Sequence, residues 1–424
     1  MRKWVLALLL VLGSTSLASA QQGSWLKRTF TFINESLTSL NPNLDQEYIF
    51  QPELFWNAGV SAEFIGAGFT LKSDINNITE FTDAEMEDRF HGGHSYFESS
   101  LEKRLYKKLG GSIGYGALGI GYSIELSRKS PGKNTYFNFG ILKPNFGVRT
   151  RFYEIHEYGD QTFVLDMDDP DYIDHSRTNK PARMRLFDLN GYYAINDTQF
   201  AYTATYKGSV VQRRSAGSWM LSARYMQGEL MHQSSEVGFI AMTNDIGRYS
   251  TLQFSLGGGY SYNWVLFHHD PRPNELAQGL RNLTLNVTVM PMFTVLNYLR
   301  TWTYVYPPLE ETMAEYTKEN GLEKLDLEDV DVFETFWAYF YNKYHEEKQA
   351  TLRLKPGFSF IASAGLCFTW DRFFLTASID YNRIRFRGTS TTFYNDEDLV
   401  SEYNVYTKGS LYDATAKIQL NVRF

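Results

Sequence analysis

The amino-acid sequence predicts an all-β fold, namely a transmembrane antiparallel outer-membrane β-barrel of about 12 strands, within a range of roughly 10–14. Three observations predict this fold. The chain starts with a segment typical of exported proteins, its later segments alternate apolar and polar residues over long runs, and it ends on Phe424. One partly helical, acidic loop insertion interrupts the alternation.

Composition narrows the class of protein before any motif is considered. Of the 424 residues, 43% are hydrophobic, 16% aromatic and 21% charged, which excludes a disordered chain. A single cysteine excludes a disulfide framework and any metal site built from several cysteines. The formal net charge of -7 argues against a general affinity for nucleic acid, so we expect no nucleic-acid partner.

The first residues have the order of a secretory signal peptide. The basic residues Arg2 and Lys3 precede the apolar run Trp4–Leu12, and small residues end the segment at Ala20. An apolar run this short cannot span a bilayer, which needs about 20 residues. We therefore predict export to the outer membrane of a Gram-negative bacterium. The predicted parts are a signal peptide at 1–20, a periplasmic N-terminal segment at 21–46 and a barrel over 47–424.

Alternating segments predict the barrel strands. Leu352–Trp370 keeps apolar residues on one face and mostly polar residues on the other, and Tyr412–Phe424 does the same. A soluble β-sandwich also has a dry and a wet face. Length separates the two folds, because strands of soluble domains usually span about five or six residues. Aromatic residues also gather at the strand ends, as they do in the girdles of membrane barrels.

Thirteen segments qualify as candidate strands. They are Gln51–Val60, Ala62–Leu71, Tyr96–Tyr106, Ile113–Leu126, Tyr136–Phe152, Arg185–Ile195, Phe200–Val211, Trp219–Met231, Leu252–Leu266, Leu283–Val295, Leu352–Trp370, Phe373–Phe386 and Tyr412–Phe424. Bacterial single-chain barrels have an even number of strands. We therefore expect either that one N-terminal candidate does not span or that Phe163–Met167 belongs to a fourteenth. The alternation slips near Gly116 and Asn382, which predicts β-bulges there.

The longest predicted outer loop carries an acidic insertion. If both termini lie in the periplasm, Asp371 and Arg372 form a periplasmic turn and Tyr298–Ala350 is an outer loop. Its segment Leu309–Lys348 has twelve acidic and four basic residues, and aromatic residues at helical spacing predict a helix over Val332–His345. The insertion fits a surface partner, a glycan, a constricting plug, or a helix that packs its aromatic stripe on the barrel rim. Its acidic residues lack the spacing of a calcium-binding loop.

No constellation of residues predicts catalysis. His91 and His94 resemble a metal pair, but on a strand they would point to opposite faces. The run from His268 to Asp270 leads into two prolines and predicts a turn on the periplasmic side. The chain holds neither a Gly-x-Ser-x-Gly elbow nor a phosphate loop. We assign no catalytic, cofactor-binding or metal residue and no cofactor, and we leave enzymatic activity undecided.

Charged residues on the polar strand faces predict a basic lumen. Seven bases and three acids are expected to point inward, namely Arg149, Arg151, Lys207, Arg224, Arg353, Lys355 and Lys417 against Glu125, Asp380 and Asp413. Such a lumen favours anions, and a barrel of about 12 strands can be open or filled. Our main hypothesis is a structural or partner-binding surface barrel of the cell envelope. The alternatives are a narrow, anion-preferring pore or solute channel, and a barrel enzyme acting on lipid or envelope polymer.

Several short motifs resemble a known family. Tyr193–Asp197 precedes Phe200–Tyr202 and the segment Gln212–Ser218, and weaker matches lie at Glu47–Ile49 and Gly259–Trp264. These motifs are similar to those of a Bacteroidota family of uncharacterised exported β-barrel proteins, the domain of unknown function number 4421. The chain departs from the family pattern by an isoleucine, an alanine and two arginines. The resemblance implies an outer-membrane barrel without an assigned activity, so no functional residue carries over.

Three partners follow from these predictions. The lipid bilayer of the outer membrane would surround the barrel. The terminal Phe424 resembles the C-terminal signal of bacterial outer-membrane barrels, which implies recognition by the barrel-assembly machinery through the last strand. A surface partner would bind the insertion at 309–348.

Overall fold

The computed structural model describes most of the chain, with gaps. The described residues are 35, 44–81, 94–101, 104–126, 131–164, 173–236, 240, 246–272, 277–322, 330–396 and 399–424. The predicted signal peptide and nearly all of the predicted segment 21–46 therefore lie outside the described residues, and both stay predictions.

Within those ranges the chain forms 18 strands, two α-helices and one 3₁₀ turn. In chain order they are β1 (Ile49–Phe50), β2 (Trp56–Phe81), β3 (His94–Leu101), β4 (Arg104–Tyr115), β5 (Leu118–Glu125), β6 (Thr135–Leu142), β7 (Phe146–Glu157), β8 (Gly159–Val164), β9 (Ile173–Arg177), β10 (Ala182–Ala194), the 3₁₀ turn (Tyr202–Ala204), β11 (Val211–Gln212), β12 (Ala216–Met231), β13 (Ile246–His269), β14 (Arg281–Val305), α1 (Leu309–Glu319), α2 (Val330–Asn342), β15 (His345–Arg353), β16 (Gly357–Trp370), β17 (Phe373–Asp396) and β18 (Leu399–Arg423).

Twelve of these strands form one closed antiparallel barrel, which confirms the predicted fold. The order is β2, β4, β5, β6, β7, β10, β12, β13, β14, β16, β17 and β18, and β18 closes the ring by pairing with β2. The pairing of these two strands runs without a register shift from Arg423 opposite Asn57 to Leu399 opposite Phe81. Closure leaves no unpaired strand edge, so every strand can satisfy its backbone hydrogen bonds within a membrane.

The two ends of the barrel differ. At one end, called the turn end, Trp56 and Phe424 meet, and short turns such as the one at Asp371 and Arg372 join the strands. At the other, called the loop end, β2, β13, β14, β17 and β18 continue as strands of 24 to 26 residues. Beyond the barrel, β3 pairs with the far half of β2, and β15 pairs with the far half of β14.

The strand number agrees with the prediction, but the strands are divided differently. Candidates Gln51–Val60 and Ala62–Leu71 contribute to one strand, β2. Candidates Ile113–Leu126 and Tyr136–Phe152 each contain a turn and contribute to two strands. The prediction of a strand over Phe200–Val211 is wrong, because this segment holds only the 3₁₀ turn and the first residue of β11.

The predictions of β-bulges near Gly116 and Asn382 are both wrong. Gly116 has a φ of 53° and lies in the turn between β4 and β5. Around Asn382 the pairing of β17 with β18 stays in register. The register shifts described for the barrel lie between β13 and β14, one of them at Phe254/Ser255. Residues 163 and 164 end β8 outside the barrel, and the rest of the fourteenth candidate lies outside the described residues.

A belt of exposed apolar side chains surrounds the barrel. Val60, Trp219 and Phe358 are 62%, 65% and 78% exposed, and apolar residues of similar exposure follow at alternate positions on neighbouring strands. Aromatic side chains cluster in this belt near the turn end, where the rings of Trp219 and Tyr260 lie 5.4 Å apart. An apolar outer band with aromatic girdles is typical of barrels that span a lipid bilayer.

The acidic insertion folds into a helical hairpin. The predicted helix over Val332–His345 is confirmed by α2, which begins two residues earlier and ends three residues earlier. The sequence analysis did not predict α1, which precedes it. Tyr316 of α1 packs against Phe336 of α2, with Phe340 completing a small aromatic core. The aromatic stripe therefore packs mainly within the hairpin. Neither helix is long and apolar enough to cross a membrane.

Candidate functional site

The barrel interior is the candidate site, and three layers of side chains occupy it. At the turn end, residues 195–215 fold back into the barrel and are called the plug. A polar layer of paired charges lies above the plug. An apolar layer lies nearest the loop end. The layers arise because inward-facing residues change from polar to apolar along each strand, as Glu63 gives way to Ile65 on β2 and Asp188 to Leu186 on β10.

Gln212 holds the plug together. Its side chain is fully buried, and Nε2 donates to the carbonyl oxygens of Gln199, Arg214 and Tyr48 at 2.7, 3.0 and 3.2 Å. Its Oε1 accepts from the backbone N–H of Ala201 at 3.0 Å and from Asn263 Nδ2 on the barrel wall at 3.1 Å. One amide therefore ties the plug to itself, to the N-terminal segment and to the wall.

Further contacts seat the plug against other strands of the wall. Tyr206 Oη donates to Asn286 Oδ1 at 2.8 Å and to Ser363 Oγ at 3.2 Å. Gly208 has a φ of 62°, and its carbonyl oxygen accepts from Arg423 Nε at 2.8 Å. The Arg423 guanidinium also lies 4.6 Å from the centre of the Phe374 ring. These contacts close the turn end of the barrel.

Asp188 lies at the centre of the polar layer. Its Oδ1 accepts from Arg224 Nε at 2.6 Å, and its Oδ2 accepts from Arg151 Nη2 at 2.6 Å and Nε at 3.0 Å. Arg151 Nη1 also lies 2.8 Å from Asp413 Oδ2, and Arg224 Nη1 donates to Asn382 Oδ1 at 3.3 Å. The network joins β7, β10, β12, β17 and β18 across the lumen.

A second group of the polar layer is centred on Glu63. This buried carboxylate lies 2.9 Å from Lys108 Nζ and 3.3 Å from Lys417 Nζ. It also accepts from the hydroxyls of Ser61 and Ser123, both at 3.0 Å. Four hydrogen-bond and ion-pair partners compensate the cost of burying the charge.

The apolar layer fills the lumen toward the loop end. Its members are buried residues that face inward from strands all around the barrel. They include Ile65, Ala67, Phe69, Leu71, Tyr106, Tyr136, Tyr153, Ile155, Met184, Leu186, Met226, Leu230, Tyr249, Leu299 and Leu411, with Leu354 from the link between β15 and β16. Side chains packed in this way exclude water as a protein core does.

One cation of the plug, Lys207, has no partner among the described residues. Lys207 Nζ is buried and forms neither a hydrogen bond nor an ion pair with any described residue. It lies beside Gly119 and faces a cavity of about 200 Å³ between the plug and the polar layer. Arg149, Lys417 and Asn138 also line this cavity. The cavity is large enough for several water molecules.

The predicted lumen residues are partly correct. Arg149, Arg151, Arg224, Lys417, Asp380 and Asp413 all lie in the polar layer, Lys207 lies in the plug, and Glu125 faces inward near the loop end. The prediction that Arg353 and Lys355 face the lumen is wrong, because residues 354–356 interrupt the strand and shift its phase. Leu352 and Leu354 therefore point inward, and the two bases point outward.

Sequence reasoning missed Glu63, Lys108 and Asp188. Glu63 follows Ser61 by two residues and shares its face, so a stricter reading of phase would have found it, whereas Lys108 lies between the candidate strands Tyr96–Tyr106 and Ile113–Leu126. With these residues the polar layer holds five bases and four acids, all of them in ion pairs. The predicted strongly basic lumen is therefore corrected to one that is close to neutral.

The described histidines of the two sequence motifs lie at different ends of the barrel. His268 Nε2 lies 2.9 Å from Asp270 Oδ1 at the turn end, where Arg213 Nη2 also contacts Asp270 at 2.6 Å. His91 lies outside the described residues, and His94 begins β3. In the described part of the chain, no group of three or more histidine, cysteine or acidic side chains is placed to hold a metal ion.

Comparison with protein families finds one family that matches part of the chain. Residues 67–269 match the family described as Domain of unknown function (DUF4421). The DUF4421 match extends from β2 to the end of β13 and contains the whole plug. The segments Phe200–Tyr202 and Gln212–Ser218, which carried the resemblance in the sequence, belong largely to the plug. No curated protein is significantly similar to the chain.

Solved structures similar to this chain are outer-membrane proteins. They include the outer membrane protease OmpT from Escherichia coli, at 10% identity and a TM-score of 0.34, covering 88% of this chain and 98% of that one. The translocator domain of the autotransporter NalP from Neisseria meningitidis has 7% identity and a TM-score of 0.26, with 94% and 95% covered. The toluene transporter TodX of P. putida has 9% identity and a TM-score of 0.22, with 92% and 94% covered.

Proposed function

We propose that the protein is a closed outer-membrane barrel that serves as a structural or partner-binding component of the cell envelope and does not conduct solutes. The observation that carries this proposal is the filled lumen. A solute would have to displace the plug, break the paired charges and separate the apolar layer in turn. Each layer spans the interior, so no single side-chain movement opens a path.

The charge pattern of the interior supports a structural role. A pore selective for anions needs unpaired basic groups along its wall. Here Arg149, Arg151 and Arg224 are each paired with a carboxylate of another strand. Removing either partner of a buried pair is costly, so these pairs hold the strands in a fixed arrangement.

The helical hairpin at the loop end is the proposed partner surface. Its aromatic core packs the two helices together, and an ion pair joins them, with Lys343 Nζ 2.5 Å from Glu315 Oε2. The acidic side chains Glu310, Glu311 and Glu319 are exposed on α1. A rigid acidic surface of this kind suits a basic partner, because complementary charges steer association.

Several finer features are part of the proposal. We place the loop end outside the cell and the turn end in the periplasm, in a Gram-negative bacterium of the Bacteroidota. Residues 1–20 would be removed as a signal peptide. The last strand, which ends near Phe424, would be recognised by the barrel-assembly machinery.

The test is solute efflux from lipid vesicles. The full-length protein should be reconstituted at the same density as a general porin, and release of a small sugar and of chloride should be measured. A second protein, in which two glycines replace residues 198–214, removes most of the plug but keeps the polar and apolar layers. We expect no efflux from the full-length protein and little from the shortened one. Efflux from the folded full-length protein at the rate of the porin would refute the proposal.

A further inference from the structure

The outer face of the barrel carries a concentrated patch of basic residues. It consists of side chains from β2, β17, β18 and the link before β16, and it is called the basic patch. Its members are Lys72, Lys355, Arg383, Arg385, Arg387 and Lys408. The strand alternation shows that they point away from the lumen. On β17, Ile379 is 60% exposed toward the outside and Asn382 is buried inside, so Arg383, Arg385 and Arg387 share the outer face.

The register places several of these bases side by side. Arg387 lies directly opposite Lys408, and Lys408 lies directly opposite Lys72 on the next strand. The backbone N–H of Lys355 donates to the carbonyl oxygen of Arg387 at 2.9 Å, which continues the row onto a fourth strand. Like charges directly opposite one another on a sheet are destabilising. Such a row is therefore expected where an anion offsets the repulsion.

Acidic residues of the protein only partly balance the patch. Lys72 Nζ lies 2.5 Å from Glu98 Oε2, and Lys408 Nζ lies 3.6 Å from Asp74 Oδ2. Lys355 and the three arginines form no ion pair with any residue that the structure describes. Some other outward-facing bases are matched, since Arg185 contacts Glu154 at 2.6 Å and Arg248 contacts both Glu229 and Glu346. Lys107 and Arg183 also face outward without an ion pair to a described residue, but the basic patch differs because it brings four such bases together.

The height of the basic patch coincides with the edge of the apolar belt. Outward residues of β17 are apolar from Phe373 to Tyr381, and the arginines follow at once. Arg383 lies ten positions after Phe373, about 33 Å along a strand. A strand tilt of about 40° reduces this to a height of roughly 25 Å, which equals the apolar band of outer-membrane barrels. Arg383 therefore lies at the level of lipid headgroups, and Arg385 and Arg387 follow above it, away from the apolar belt.

The shape of the surface fits a bulky ligand. The basic residues surround a depression of about 560 Å³, whose lining also includes the hydroxyl residues Thr70 and Ser410 and the exposed ring of Phe358. Arginine side chains bind phosphate groups through paired N–H donors. The ring of Phe358 faces the same depression from the apolar side, where an acyl chain would lie.

We propose that the basic patch binds the phosphorylated headgroup of a membrane lipid from the leaflet at the loop end. The lipid phosphates would lie among Arg383, Arg385, Arg387 and Lys355, and the acyl chains would follow the apolar face below them. A soluble acidic protein would reach this depth poorly, because the patch borders the lipid-covered belt. This site is independent of the closed lumen.

The experiment uses the full-length protein in a neutral detergent and native mass spectrometry. The probes are phosphorylated lipid A, the same lipid after removal of its phosphates, and inorganic phosphate. The triple variant R383Q/R385Q/R387Q removes three bases of the basic patch. The matched control K107Q/R183Q/R185Q removes three outward-facing bases elsewhere. Folding of each protein is checked by its heat-dependent shift on a gel.

We expect the wild type and the control to retain lipid A, and the triple variant to bind it at least about tenfold more weakly. Lipid A should also raise the melting temperature of the wild type and not that of the triple variant. Equal binding of the dephosphorylated lipid, or equal binding by the triple variant, would overturn the proposal. Inorganic phosphate binding as tightly as lipid A would also overturn it, because the site would then serve a free anion. If the triple variant does not fold, R385Q alone provides the same comparison.

Discussion

Replacing Asp188 with asparagine tests whether the lumen is dry. The carboxylate is 2% exposed and receives three short hydrogen bonds from Arg151 and Arg224. Asparagine keeps the size of the side chain and removes its charge. Arg151 would still contact Asp413, but Arg224 would lose its carboxylate partner and keep only neutral acceptors such as Asn382 Oδ1 at 3.3 Å.

The expected cost follows from the surroundings of Arg224. Its side chain is 4% exposed, so the guanidinium cannot exchange the lost carboxylate for bulk water. Removing one partner of a buried pair typically costs about 3–5 kcal/mol, because the other charge stays uncompensated. We therefore expect D188N to lower the free energy of unfolding by about 3–5 kcal/mol. Replacing Arg224 by methionine in the same protein should recover part of this loss, because the unpaired charge is then absent.

The assay is denaturant unfolding of the barrel in lipid vesicles, followed by tryptophan fluorescence. Glu154→Gln is the matched control, because it also removes a carboxylate that contacts an arginine at 2.6 Å. That pair is partly exposed, at 23% for Glu154 and 39% for Arg185, so the control should cost no more than about 1 kcal/mol. Equal effects of D188N and the control would refute the reasoning. They would mean that water reaches the polar layer.

Three further predictions concern the plug and the loop end. Gly208→Ala should destabilise the barrel by about 1–3 kcal/mol more than Gly321→Ala. Both glycines have a positive φ, but only at Gly208 would the new Cβ meet another group, the Phe374 ring, 2.6 Å away. Equal unfolding free energies of the two variants would contradict this. Lys207→Met should raise the free energy of unfolding by about 1–3 kcal/mol, because it removes a buried ammonium that has no partner among the described residues. A loss of stability would show that the ammonium has a bound counter-ion. Burial lowers the pKa of His232, in the loop after β12, from 6.5 to about 4. The folded state therefore favours the neutral ring, so this stabilisation is complete above pH 6.5 and is lost as the pH falls from 6.5 toward 4, by about 3 kcal/mol at most. The wild type should lose more stability over that range than the His232→Phe variant. Equal losses would contradict the lowered pKa of His232.

Much of the fold follows from alternation alone. The predicted strand Trp219–Met231 corresponds closely to β12, and Tyr412–Phe424 corresponds to the half of β18 nearest the turn end. Alternation marks these strands because a barrel strand exposes one face to lipid and the other to the lumen. Alternation misleads at Gly116, where its slip marks a tight turn between two strands and not a bulge within one. It also fails at Phe200–Val211, because this segment alternates like a strand but packs inside the lumen, where both of its faces are covered.

The organisation of the lumen could be predicted only in part. Phase alone identifies Arg151 and Asp413 as inward residues, but they lie on β7 and β18, and no local signal shows that they meet at 2.8 Å. The same holds for Glu63 and Lys417. The outward position of Lys355 depends on the interruption of the strand beside it, which an unbroken apolar pattern conceals. Pairing across a closed ring is a property of the whole barrel and not of any one segment.

Single-channel recording tests the closed lumen most directly. The full-length protein, with its fold confirmed by the heat-dependent gel shift, should be inserted into a planar bilayer in concentrated potassium chloride. The account predicts no current steps under an applied voltage, whereas a general porin in the same bilayer conducts. Steady steps from the full-length protein, with a reversal potential that favours chloride in a salt gradient, would contradict the account and restore the anion-preferring pore.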